Sequence, residues 1–181
     1  QSYKVLKKID FRPALDAVGR KDLSNSVRPI VFSKDESKIY AQVSFFNGLV
    51  EYDLNQDKVT RIAQLPGSTT IPSDRTKWVN DSRHHGLSIS GDGEKLCVAG
   101  TMDDYATIVD RKTLTAAKLI AAGKPYWATQ SPDGKRCVIS ESATDAVTVI
   151  DFATGEKVIT VPVGNHPQRV RLGYAPAGWG N

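Results

Sequence analysis

Short runs of alternating apolar and polar residues recur along the chain, and one run occurs three times without a gap. It reads SKIYAQVSFFNGLVEYD from Ser37 to Asp53, EKLCVAGTMDDYATIVD from Glu94 to Asp110, and KRCVISESATDAVTVID from Lys135 to Asp151. Period-2 alternation over about six residues marks a half-buried strand. Each copy therefore predicts a strand, a short polar loop and a second strand ending in Asp. A further strand precedes each copy, at Arg28–Ser33, His85–Ser90 and Tyr126–Ser131. Another follows, within KVTRIAQL, TAAKLIAA and EKVITVPV. Tight turns join them. In Pro132-Asp133-Gly134 the proline presets φ and the glycine accepts a positive φ.

Asp110 and Asp151 are 41 residues apart (151 − 110), and Asp53 and Asp110 are 57 apart (110 − 53), one period plus an insertion. A repeat near 40 residues made of four short antiparallel strands is a β-propeller blade. The expected fold is all-β: one partial propeller domain over residues 1–181, with blades at about 26–67, 83–123 and 124–164. Residues 1–10 are expected to hold the fourth strand of another blade, at Tyr3–Asp10, and 165–173 the start of a further first strand. A closed propeller takes roughly four to eight blades. Three whole blades are thus expected to belong to a larger ring. Its remaining blades would come from further sequence or another chain, and two blade faces would be open or covered by other polypeptide.

Composition narrows the class without changing it. Hydrophobic content of 40% and charged content of 24% are ordinary for a globular protein. The net charge of +4 comes from Lys and Arg scattered over turns and strand edges, which reads as a solvated surface and not a nucleic-acid patch. No apolar run approaches the roughly 18 residues of a membrane span. The start, SYKVLKKID, reads as an outer strand and not as a signal peptide. Cys97 aligns with Tyr40 and Val138, whereas Cys137 aligns with Leu96. Adjacent strand positions face opposite ways, so the two cysteines read as separate buried apolar residues.

The stretch PDGKRCVISESATDAVTVIDFATGEKVITVPVGNHP resembles the YVTN-type repeat of bacterial propellers. The resemblance rests on Ser131–Gly134, Val147–Asp151, Thr154-Gly155 and Val163–Pro167. The second copy departs at Gly91 and carries Arg111-Lys112-Thr113 in place of the Thr-Gly turn, and the first is the most diverged. The resemblance implies a propeller of periplasmic or extracellular location. It leaves Asp53, Asp110 and Asp151 as turn residues.

Residues that break the repeat on the face shared by the fourth-to-first and second-to-third strand loops are the functional candidates. Two long connectors enter there, Phe11–Val27 and Ser68–Ser82, the second carrying Trp78 as a possible ligand platform. Arg28 opens the first blade and Arg83, His84 and His85 the second. Tyr126 and Trp127 open the third, and His166 and Arg169 follow it. Ring geometry should bring these entries to one channel mouth, where Arg and aromatic groups offer anion and stacking contacts. Glu141 stands where the repeat has Asn. With His84 and His85 it is a candidate acid or base. The three histidines have no metal-site spacing, so no metal is assigned.

The favoured reading is a non-catalytic binding or scaffold module that takes a ligand or protein partner on this face. No nucleophile-base motif such as G-x-S-x-G is present. One alternative is a hydrolase similar to propeller lactonases, whose Arg-His entry and Glu resemble Arg83-His84 and Glu141. Another is a haem- or metal-binding or redox-partner propeller, as in nitrite reductases and amine dehydrogenases. No C-x-x-C-H for covalent haem is present, and the sequence names no cofactor.

Overall fold

The computed structural model describes residues 3–5, 7–67, 71–78, 83–173 and 178. Among them, twelve strands form three four-stranded antiparallel sheets, each running in chain order from first strand to fourth. The first blade contains β1 (Val27–Phe32), β2 (Lys38–Val43), β3 (Gly48–Asp53) and β4 (Lys58–Gln64). The second contains β5 (Gly86–Ile89), β6 (Lys95–Gly100), β7 (Tyr105–Asp110) and β8 (Thr115–Ala121). The third contains β9 (Pro125–Gln130), β10 (Arg136–Glu141), β11 (Ala146–Asp151) and β12 (Lys157–Pro162). All three repeated runs thus form the second and third strands of a blade.

The same turn chemistry closes every blade. The hydroxyls of Ser33, Ser90 and Ser131 donate to Asp35, Asp92 and Asp133 two residues on. They also accept from the backbone N–H of Lys38, Lys95 and Arg136, which starts the next strand. Asp53, Asp110 and Asp151 accept backbone N–H bonds from Gln56, Thr113 and Thr154 at 2.8–2.9 Å. Each also pairs across the ladder with Lys38, Lys95 or Arg136. These aspartates are turn anchors.

Blades pack face to face. Tyr40, Leu49, Leu65, Leu87, Leu96, Val98 and Val109 join blades 1 and 2. Ala99, Ala106, Ile108, Ala128, Ile139, Ile150 and Phe152 join blades 2 and 3. The second interface also holds a disulfide between Cys97 and Cys137, with Cα atoms 6.3 Å apart and both residues fully buried. This corrects the reading of two separate cysteines. The one-residue offset between them does turn them to opposite faces of equivalent strands, but neighbouring blades meet through opposite faces. Gly86 permits the close approach of β5 to β9: a Cβ there would lie 2.8 Å from Trp127 C and Ala128 N.

The far face of blade 1 is covered by the chain itself. Helix α1 (Phe11–Ala17) is capped by Asp10, whose carboxylate accepts from Arg12 N–H. It lays Phe11, Ala14 and Leu15 on Ile39, Ala41, Val43, Val50, Tyr52 and Val59. Of the two faces expected to be open, that of blade 1 is covered by α1 over its outer strands, and that of blade 3 is left uncovered by the described residues. There Ile159, 52% exposed, and Val161 share a side with Val138 and Val149. The described residues of 3–10 form no strand, and neither do 165–173. A lone strand has no ladder to join, and the first segment is instead tethered by Lys7 to Asp57 at 2.7 Å.

Replacing both Cys97 and Cys137 with Ala should lower stability by about 4 kcal/mol, the loop-closure entropy of a cross-link spanning 40 residues. Guanidinium unfolding with and without reductant checks this. An unchanged midpoint in the double variant would show that the cross-link adds nothing.

Candidate functional site

The starts of the three first strands lie together, and the backbone there is irregular in two blades. In blade 1 the pairing slips between Val27 and Ile30, so Arg28 and Pro29 form a bulge. In blade 3 it slips between Ser140 and Glu141, bulging Tyr126. Bulges re-aim side chains. Here they help turn Arg28, Tyr126 and Trp127 toward His85, which sits between them at the entry to β5. Val27, Arg28, Pro29, His85, Tyr126, Trp127 and Arg169 line one cavity of about 570 Å³. Five of the nine ligand-binding candidates read from the sequence therefore meet.

The cavity is cationic and aromatic. The His85 ring stacks on Tyr126 at 4.2 Å and tilts against Trp127 at 6.2 Å. Arg169 and Arg171 place their guanidinium carbons 4.6 and 4.5 Å from the centre of the Trp127 ring. Arg28 donates to Ser44 Oγ at 2.9 Å, which anchors its Nε. Trp127 Nε1 is a buried donor with no acceptor among the described residues. Among the described residues, none that lines the cavity is a carboxylate. Burial lowers the His85 pKa most; backbone hydrogen bonding opposes this, and the charges of Arg28 and Arg169 lower it further. His85 is thus neutral near pH 7, in a field set by two guanidinium groups. Arg171 was not legible as a partner, although it lies two residues from Arg169 and could have been read as its companion.

The other candidates are placed elsewhere. His84 is completely buried, with its Nε2 3.1 Å from the Tyr105 hydroxyl, which itself donates to Pro66 O. Burial drives its pKa down to about 3, helped by the charge of Arg83. Arg83 grips the buried carboxylate of Asp103 in a two-pronged ion pair. Glu141, also buried, accepts from Gly123 N–H, Thr144 Oγ1 and Thr148 Oγ1. It pins a loop, as a polar residue at a strand end must when buried. Arg83, His84 and Glu141 therefore do not form an acid-base set. Trp78 folds onto its own loop, donating to Pro72 O at 2.7 Å, with its ring near Phe45 and Arg83. Of the connector expected above the mouth, Ser68–Thr70 and Val79–Ser82 lie outside the described residues. His166 is exposed, and its N–H donates to Asp145. Among the described residues, no three His, Cys, Asp or Glu side chains are grouped to hold a metal ion, and no helix is long and apolar enough to cross a membrane.

No protein-family model and no curated protein sequence matches the chain. Solved structures do. Hydrazine synthase of Kuenenia stuttgartiensis matches with TM-score 0.65 and 21% identity, covering 91% of this chain and 40% of that one. U3-55K matches with TM-score 0.61 and 14% identity, covering 76% and 39%. Dihydro-heme d1 dehydrogenase NirN, in complex with DHE, matches with TM-score 0.59 and 16% identity, covering 78% and 29%. The three sheets are β-propeller blades. At these identities the likeness is one of fold, and the chain spans two-fifths or less of the length of these proteins.

The neutral, buried His84 makes stability depend on pH. Its folded pKa lies below its unfolded one, so the stability present above about pH 6.5 is lost as the pH falls toward 3. Between pH 6.5 and 5, where carboxylates stay ionised, the loss from this group should be about 1.5 kcal/mol. Urea midpoints across that range should fall less in a His84→Gln variant. Equal slopes would show that His84 is not held neutral.

Proposed function

We propose that this chain is a non-catalytic binding module whose channel mouth takes an anionic ligand. One observation carries the reading: Arg28, His85 and Arg169 converge with Tyr126 and Trp127 on one cavity. Guanidinium groups are strong anion partners, because their fixed N–H fork matches carboxylate and phosphate. The indole N–H of Trp127 adds a donor. The lactonase-type alternative lacks such support, since Arg83, His84 and Glu141 are separately committed to structural bonds.

We assign the blades to the YVTN type on the motif residues of the third copy, and further blades to the uncovered face of blade 3. The partly exposed Ile159 and Val161 there support an added blade, whereas α1 occupies the corresponding place on blade 1. A periplasmic or extracellular location is supported by the same resemblance and by the Cys97–Cys137 cross-link, since such bonds persist in oxidising compartments.

Titration calorimetry with inorganic phosphate tests the mouth. Arg28→Ala and Arg169→Ala should each weaken binding about tenfold, and His85→Ala should remove the part of the pH dependence that phosphate's own titration does not give. Binding of an anion offsets the two guanidinium charges and raises the His85 pKa, so affinity should increase as the pH falls through the His85 titration. Phosphate that binds all three variants as it binds the wild type is not at this mouth.

A further inference from the structure

The mouth cavity continues into a second one. Pro29 and Trp127 line both, and the lower cavity, of about 440 Å³, runs along β1, β5 and β9. Its walls include Ile30 and Phe32 of β1, Ile89 of β5 and Thr129 of β9, with Arg171 at the side. Ile30 and Phe32 are 42% and 47% exposed. They pair with Ala41 and Ile39, on the face that α1 covers further out. The helix stands where a further blade would stack and covers the outer strands, so Ile30 and Phe32 at the inner edge of this face stay exposed. Three features coincide: cations above, apolar side chains below, and a shared floor of Pro29 and Trp127 between them.

We infer that the two cavities form one site for an amphiphilic anion, a reading that rests on the anion-binding mouth proposed above. The charged head group is held by Arg28, His85 and Arg169, and its apolar chain lies down the channel against Ile30 and Phe32. Such a ligand removes exposed apolar surface from water while its charge meets the guanidinium groups, so both halves of the site favour the same molecule. The site is a recess between three strands, so it takes a single amphiphile molecule in preference to a bilayer surface.

Calorimetry with decyl phosphate, below its micelle concentration, and inorganic phosphate separates the two halves. Wild type should bind decyl phosphate at least tenfold more tightly than inorganic phosphate. Ile30→Ser/Phe32→Ser should bring the two affinities within about threefold of each other and leave that for inorganic phosphate unchanged, which also reports that the variant is folded. Should that pair unfold the protein, Ile30→Asn alone, at a half-exposed position, should lower the decyl phosphate preference at least threefold. Equal affinity of wild type for the two probes overturns the apolar half and leaves the anionic mouth standing. Tight decyl phosphate binding that survives Arg28→Ala/Arg169→Ala also overturns it, because the head group is then elsewhere. If neither probe binds, the mouth itself is refuted, and this inference falls with it. Phosphatidylglycerol vesicles should not co-sediment the protein. Arg28-dependent co-sedimentation without decyl phosphate binding would identify a lipid surface and overturn the single-molecule site.

Discussion

A blade has two faces, and each must be covered by a different neighbour. Alternation along the second strand sorts the side chains between them. In β6, Leu96 and Val98 turn to blade 1, while Cys97 and Ala99 turn to blade 3. In β2, Tyr40 turns to blade 2, while Ile39 and Ala41 turn to α1. Each fully buried aliphatic side chain contributes about 1.5–3 kcal/mol relative to exposure, so the stacking direction is strongly set. The stack brings β1, β5 and β9 together, and with them the entry residues that no blade interface requires. The mouth is a by-product of the packing and is assembled from three blades at once.

The blades were legible because period-2 alternation and turn aspartates recur at one spacing, and these are local properties. Arg28, His85, Tyr126, Trp127 and Arg169 were legible as a group because equivalent positions in a stack must converge. The disulfide was not legible by the same logic. Alignment of copies compares a blade with itself, whereas a contact between blades joins one face to the opposite face of the next. Cys97 and Cys137, one register apart, satisfy the second relation and fail the first. Helix α1 left little trace either, since seven residues carry too short an apolar pattern to read a period, and its stability comes from Leu15 and Phe11 against blade 1.

Two adjacent histidines show why residue type alone decides little. His84 and His85 differ by one position, so one points into the protein and the other to the mouth. The first trades solvent for the Tyr105 hydroxyl and loses its charge to burial. The second keeps partial exposure and faces two guanidinium groups. Glu141 follows the course of His84: it looks chemically active in sequence, and it is consumed in holding a loop.

The two joints between blades are of unequal kind. Blades 2 and 3 are tied covalently, whereas blade 1 is held to blade 2 by apolar contact and by bonds that water can replace. These include Arg61 to the carbonyls of Arg111 and Lys112, and Tyr105 to Pro66 O. Arg61 also anchors the buried Glu51: burial would raise that carboxyl's pKa, but Arg61 and the Thr60 hydroxyl hold it at about 2. When the molecule yields, blade 1 and its helix can part as one unit. Blades 2 and 3 remain tethered even after their sheets have melted, so the order of disassembly is written into the joints.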